Sequence, residues 1–283
     1  MKTKLFVLIL ILSMAAITGC SNSKSSSDTA TSNTNSATVD AHTVEAIKSK
    51  GTISFATESA YAPYAFKDKD GNVVGFEPTM MQAIADELGV KLDIQDMAFD
   101  SVIPSVQSGL VDIGIAALTP TQERKEALNM TDVYWQGGQK ALVRSEDAEK
   151  YADESCMNGI TVGAQKSSYQ QQVTDEYYAD TCTTRYLETV PLMVSDLKAK
   201  NVDVLVMDGI NAVMYAQEND DLKVTFDIPQ MPGEDGGNSM AIMKGNDDLT
   251  TYINSLISGW IADGTMEQWF NDAVALQTEL GVE

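Results

Sequence analysis

From Val44 onward the chain alternates between short apolar runs and amphipathic stretches, the pattern of an α/β protein with mostly parallel sheets. Apolar runs at residues 52–57, 91–95, 111–116, 159–163, 184–187 and 202–207 predict strands. Between them, 79–88 and 102–107 carry helical periodicity, the first stopped by Gly89 and the second by Ser108 and Gly109. The stretch 247–280 reads as almost entirely helical, with Leu249, Ile253, Leu256, Ile257 and Trp260 on one stripe. Two further extended segments, 139–143 and 239–243, divide the chain into a first block, a middle block and a returning tail. If both are crossovers, residues 44–138 and 244–283 form one discontinuous lobe, and 139–243 form a second with hinge strands at its ends. One continuous doubly wound sheet fits the same string.

Ahead of this pattern, Lys2 and Lys4 precede an apolar run over 5–17 that is too short to cross a bilayer comfortably, so residues 1–19 read as a signal peptide. The run ends in Ile17-Thr18-Gly19-Cys20, which resembles a lipobox, the cleavage and lipidation site of bacterial lipoproteins. Cys20 is then the acylated first residue of the mature chain; an ordinary signal peptide with a chance cysteine is the alternative. Residues 21–38 are almost all Ser, Asn, Thr, Ala, Lys and Asp, so 20–43 is expected to be a lipidated cysteine followed by a flexible tether. The expected location is outside the cytoplasmic membrane, lipid-anchored to it. Disulfides are permissible there, and Cys156 and Cys182 are the only pair left to form one. They precede two predicted strands joined by a helix, and if those strands are parallel neighbours both thiols fall at one sheet edge.

Charge and reactive side chains narrow the function. With 41 Asp and Glu against 19 Lys and Arg the formal net charge is −22, and no basic run interrupts it, which excludes nucleic acid as a partner. A single histidine, His42, excludes His-rich zinc sites and leaves any histidine-dependent nucleophile resting on a residue next to the tether. No metal, cofactor or catalytic residue is expected.

In open α/β sheets ligands gather beyond the carboxyl ends of strands. Four such places carry suitable groups: Glu58 to Tyr61, the stretch from Ala117 to Arg124, Gln165 to Ser168, and Asp208. Thr119, Pro120 and Gln122 match a capping box with proline at the first helical position, so a helix is expected to start there. Its free N–H groups would favour an anion, and Arg124 one turn in could hold a carboxylate; the same arginine could equally be a surface residue on a capped helix. Ser167 with Gln170 repeats the capping pattern. Asp208 ends a buried strand and could be a plain N-cap or, facing Arg124 across a crevice, half of a site for a zwitterion. Tyr61, Tyr64 and Phe99 could wall it or could be ordinary core.

In combination, Ala56-Thr57-Glu58-Ser59-Ala60-Tyr61-Ala62-Pro63-Tyr64, Asp70-Gly71 with Gly75-Phe76-Glu77, and Phe99-Asp100-Ser101-Val102-Ile103-Pro104 form an ordered series of motifs. It continues through Gly109-Leu110-Val111-Asp112, Thr119-Pro120-Thr121-Gln122-Glu123-Arg124, Thr131-Asp132-Val133-Tyr134, Lys244-Gly245-Asn246 and Asp263-Gly264. The series resembles the extracytoplasmic solute-binding proteins of polar amino-acid ABC transporters, bacterial family 3, over residues 44–270. The resemblance implies a two-lobed periplasmic-binding-protein-like (type II) fold with two hinge strands, closing on one free amino acid and delivering it to a membrane permease, as a monomer. It implies that Arg124 holds the ligand α-carboxylate with help at Thr119 and Ser168, and that Asp208 holds the α-ammonium. It further implies that Glu58, Tyr61 and Phe99 shape the side-chain pocket and that Ala117 contributes through its backbone. Ser167 stands where the family usually has glycine, Tyr169 where a small or hydroxyl residue is common, and Met207 precedes the aspartate.

An anion lining a closed cleft pairs best with a guanidinium or ammonium, so Glu58 points to arginine, lysine or ornithine; cystine or glutamine is the alternative, and Gln165 could face either side chain. Two rival classes remain at this stage, an enzyme on the same scaffold, such as a dehydratase, and a tethered ligand sensor.

Overall fold

A computed structural model describes residues 40–234 and 236–282. The signal peptide, Cys20 and the tether up to residue 39 lie outside the described residues. The chain runs through α1 (Val44–Lys50), β1 (Thr52–Thr57), β2 (Ala60–Tyr61), β3 (Ala65–Lys67), β4 (Val73–Val74), α2 (Phe76–Leu88), β5 (Lys91–Asp96) and α3 (Phe99–Gln107). Next come β6 (Ile113–Leu118), α4 (Gln122–Ala127), β7 (Leu128–Met130), β8 (Trp135–Gln136) and β9 (Gln139–Arg144). Then follow β10 (Thr161–Gln165), α5 (Tyr169–Tyr177), β11 (Thr183–Leu187), α6 (Val190–Lys198), β12 (Val204–Asp208), α7 (Gly209–Glu218) and β13 (Leu222–Ile228). The chain closes with β14 (Gly237–Met243), α8 (Asp247–Ala262) and α9 (Thr265–Leu280).

Two sheets organise two lobes. The first has the order β5-β1-β6-β14-β7, with β8 paired to β14, and the second has the order β11-β10-β12-β9-β13. In each, three strands run parallel and the next is antiparallel. Helices cover both faces, so the inner strands read as continuous apolar runs: β1 is buried from Ile53 through Thr57 and β14 along its whole length. Separate apolar clusters fill the two sides of each sheet, among them Phe55, Met80, Ile84 and Ile253 in the first lobe and Val162, Val173, Val204 and Tyr151 in the second.

The connections differ from expectation in one respect. Residues 139–143 begin the second lobe's sheet as anticipated, but 239–243 is not the closing hinge strand of that lobe; it lies inside the first lobe's sheet between β6 and β7. Periodicity marks a buried strand without saying which sheet buries it. The chain therefore crosses out at Gly137 and Gly138 and returns between β13 and β14, and β8 pairs with the start of β14 beside both crossings. Beneath them, Trp135 stacks on Phe270 of α9 at 4.1 Å between ring centroids, and Phe76 meets both edge-on at 5.3 Å. Contacts of this kind contribute roughly 0.5–1.5 kcal/mol each beyond the area they bury.

Three smaller corrections follow from local chemistry. The folded part begins before Val44: His42 is buried with its Nδ1 2.5 Å from Asp112 Oδ1, and Thr43 caps α1, so the tether does not extend to residue 43. The helix carrying Arg124 starts at Gln122 with Thr121, not Thr119, as its N-cap, because the Thr121 hydroxyl reaches the Arg124 N–H at 3.2 Å. Cys156 and Cys182 are free thiols, although the strands that follow them are parallel neighbours. Cys182 Sγ turns to the Met157 carbonyl at 3.5 Å, and burial pushes the Cys156 thiol up, which keeps it protonated. Among the described residues no helix is long and apolar enough to cross a membrane, and no cluster of His, Cys, Asp and Glu is placed to hold a metal.

Candidate functional site

The carboxyl ends of β1, β6, β10 and β12 point into the gap between the lobes, and the residues that follow them meet there. Tyr61, Phe99, Ala117, Thr119, Arg124 and Gln165 line one tight cavity of about 10 Å³, room for about one water, joined by Tyr169 and Gln170. The lobes are closed on it. Bonds cross the gap from Gln165 Nε2 to Glu58 Oε2 at 2.8 Å, from Arg124 to the Ser167 carbonyl at 3.3 Å, and from Asn211 Nδ2 to the Ala62 carbonyl at 2.5 Å. At the rim Lys166 meets Asp100 at 2.9 Å.

Two carboxylates mark this cleft. Glu58 is 5% exposed; its Oε2 takes the Gln165 amide while Oε1 is buried without a partner. Burial pushes its carboxyl up to about 7, against the lowering effect of the Gln165 bond, with Asp96 and Asp100 adding to the rise. Asp208 is 3% exposed and caps α7, accepting from the Ile210 and Asn211 N–H groups at 3.0 and 3.3 Å and facing the Tyr64 hydroxyl at 3.4 Å. Those donors only partly offset its burial, and its carboxyl is pushed up to about 6. Tyr64 in turn stacks on Tyr61 with ring centroids 5.5 Å apart, which joins the aspartate to the cavity wall. The N-cap reading of Asp208 holds, and its carboxylate also meets Tyr64 of the first lobe.

Arg124 is the cationic counterpart. It is 5% exposed, and burial lowers its guanidinium to about 10 while Glu123 and Glu234 favour the charged form. Its Nη1 donates to the Thr119 carbonyl at 2.9 Å and its Nη2 to the Ser167 carbonyl, neutral acceptors that orient the fork without neutralising it. Ser168 caps α5, its hydroxyl accepting from the Gln171 N–H at 3.1 Å and donating to the Gln165 carbonyl at 2.6 Å. The anion expected at the start of the Arg124 helix is already supplied from within: Glu234 Oε1 accepts the Gln122 N–H at 2.8 Å.

Ala117 owes its place to a residue outside the expected set. Its N–H donates to Glu77 Oε1 at 2.7 Å, and the Tyr134 hydroxyl donates to the same oxygen at 2.5 Å. That anchor holds Ala117 at φ +48°, in the left-handed region, and leaves its carbonyl oxygen as what it can offer the cavity. Burial pushes Glu77 up to about 7. Gly137, on the first crossing, is the other unexpected contributor, since a Cβ there would stand 2.6 Å from Asp208 Oδ2. Gly75-Phe76-Glu77 and the Gly137-Gly138 pair are visible as strings, but their long-range partners leave no mark in local sequence.

The sequence matches the family model of bacterial extracellular solute-binding proteins, family 3, over residues 53–272. It is 27% identical to the arginine-binding extracellular protein ArtP of Bacillus subtilis, over 95% of this chain and 98% of that one. It is 28% identical to the L-cystine-binding protein TcyJ of Escherichia coli K12, over 79% of this chain and 84% of that one. Among solved structures it resembles an amino-acid ABC transporter substrate-binding protein of Streptococcus pneumoniae bound to L-arginine, with TM-score 0.77 and 34% identity over 82% of this chain and 97% of that one. It also resembles an ancestral amino-acid-binding protein, a precursor of cyclohexadienyl dehydratase, with TM-score 0.72 and 29% identity over 80% of this chain and 98% of that one. With two lobes closed on a cavity between strand ends, and the family model covering most of its length, the chain belongs to the bacterial extracellular solute-binding proteins of family 3.

Proposed function

We propose that this protein binds a free amino acid with a cationic side chain, arginine, lysine or ornithine, and delivers it to the permease of an ABC importer, held to the membrane by a lipid on Cys20. The observation that carries the ligand class is Glu58 Oε1, a buried acceptor with no donor beside the cavity. A buried carboxylate left half-satisfied is costly, and a guanidinium or ammonium arriving there supplies both donor and countercharge. Arg124, with Thr119 and Ser168 beside it, takes the α-carboxylate; Asp208 takes the α-ammonium; Tyr61 and Phe99 wall the aliphatic part; and the Ala117 carbonyl adds an acceptor. The arginine named for ArtP and for the pneumococcal structure supports this choice.

A second reading, cystine or glutamine, is favoured by the rise of Glu58 to about 7, where its neutral form can meet a polar uncharged group, and by the cystine named for TcyJ. Binding and release suffice for either reading, with closure as the mechanical step and the ligand returned unchanged. That return separates it from a dehydratase, the chemistry in the name of one structural relative.

The test is a thermal-shift screen of the chain from Ser21, unfolded and refolded to strip carried-over ligand, against the common amino acids with ornithine and cystine. Ligands that bind only the folded state raise the melting temperature by mass action. A rise confined to the basic amino acids is the expected result; a rise with cystine or glutamine alone moves the ligand to the second reading, and no rise with any amino acid removes both.

A further inference from the structure

The returning segment is tied to both lobes within residues 230–234. On the second-lobe side, the Met231 N–H donates to the Tyr169 hydroxyl at 2.8 Å and the Tyr177 hydroxyl donates to the Gln230 carbonyl at 3.2 Å; both tyrosines belong to α5. On the first-lobe side, Glu234 accepts the N–H of Gln122, the first residue of α4. Its other oxygen, Oε2, is buried without a partner. From Met231 to Glu234 the backbone reaches at most about 10 Å when fully extended. Opening that carries Gln122 away from the Tyr169 hydroxyl by more than this backbone and the Glu234 side chain together can span must break one end of the tie.

We propose that Glu234 is a positioning residue that latches the lobes in the closed arrangement and sets the Arg124 helix against the Ser168 cap. The proposal rests on reading the cleft as an amino-acid site, but the latch itself is a property of the free protein. Opening costs the Gln122 bond, and the water that Oε2 regains offsets part of that cost, so the bond itself carries the latch.

The test compares the full chain with Glu234→Ala and Glu234→Gln. It reads arginine dissociation by stopped-flow fluorescence, the radius of gyration of ligand-free protein by small-angle X-ray scattering, and the melting temperature. Glu234→Ala is expected to raise the dissociation rate by about two- to tenfold, the usual weight of a hydrogen bond, and to enlarge the ligand-free particle while the melting temperature holds. Glu234→Gln, whose amide oxygen still accepts the Gln122 N–H, is expected to stay close to the parent in both. An alanine variant with the parent's rate and radius overturns the proposal. So does a glutamine variant as impaired as alanine, which assigns the effect to charge at Arg124, and so does a loss of affinity that tracks a fall in melting temperature. If the parent binds no amino acid, the site reading fails, and the comparison of radii still decides the latch.

Discussion

Gln165 Nε2 of the second lobe donates to Glu58 Oε2 of the first at 2.8 Å, while Oε1 of the same carboxylate is buried without a donor. One oxygen thus belongs to the protein's own closure and the other is left to whatever the cleft encloses. An arriving cation selects the ionised form of a group that burial has pushed up to about 7. Affinity for arginine is therefore expected to rise with pH through that value and level off above it. From pH 8 to pH 6 the dissociation constant should weaken by about tenfold, one unit below the shifted value. Titration calorimetry in buffers of different ionisation heat should also register proton release on binding; a constant affinity over this range removes Glu58 from the ligand's side-chain end.

Arg124 and Asp208 are expected to be needed together. Removing one partner of a buried charge pair costs about 2–5 kcal/mol, so Arg124→Ala and Asp208→Asn should each weaken amino-acid binding by about thirtyfold or more. Both variants should keep the parent's circular dichroism. Retained affinity in either, measured by equilibrium dialysis with labelled arginine, sinks the zwitterion reading.

Gly137 stands against the Asp208 carboxylate. A Cβ there would stand 2.6 Å from Oδ2, so Gly137→Ala must push the carboxylate off its place or shift the crossing. We expect affinity to fall by about tenfold or more with little change in urea midpoint, in line with overpacking of about 1–3 kcal/mol that falls on the bound state. Unchanged affinity would mean that Asp208 can do its work from another position.

Stability and pH are linked in two opposite windows. Glu58, Glu77 and Asp208 have carboxyls raised by burial to about 7, about 7 and about 6, so the folded chain holds more protons than the unfolded one in this range. The stability they contribute is complete below their unfolded values and is lost as pH rises through the folded ones. Ligand-free protein should therefore melt lower at pH 8 than at pH 5.5. Asp112 acts the other way: burial raises its carboxyl, but hydrogen bonds from His42, Ser54 and Lys50 outweigh that and hold it below the usual range. Its contribution is present above the unfolded value and lost as pH falls through the folded one. Asp112→Ala, which leaves the buried His42 and Ser54 without their acceptor, should cost about 1–3 kcal/mol in urea unfolding at neutral pH and flatten the acid limb. A melting temperature that rises from pH 5.5 to 8, or a silent Asp112→Ala, contradicts this account.

Local chemistry was easiest to read in the sequence where one face or one cap decides the outcome. The run 52–57 is β1 without adjustment, Gly89 ends α2 at φ +69°, and Asp208 stands at a strand end facing the gap. Six of the nine expected ligand residues line one cavity; Glu58 and Ser168 join through Gln165, and Asp208 through Tyr64 and Tyr61. What escaped has a common cause. Whether 239–243 belongs to one sheet or the other depends on partners more than a hundred residues away. His42 looked like part of the tether because Asp112, its partner, is 70 residues on. Glu234 stands in Pro232-Gly233-Glu234, a string that signals only a turn, and its partner Gln122 lies 112 residues earlier. The cap fell to Thr121 over Thr119 because only one of two hydroxyls two residues apart meets the Arg124 N–H, which periodicity does not resolve.

The position of β14 also orders the assembly of the chain. The strand that joins β6 to β7 is made only after the entire second lobe, so the first sheet has an open seam until residue 243 has emerged. The second sheet is contiguous from β9 to β13 and lacks nothing from outside that span. A chain emerging N-terminus first can thus complete its later-made lobe before its earlier one, with the unpaired edges of β6 and β7 exposed in the interval. Any holding factor that accompanies this protein on its way out has its work in the lobe that appears first.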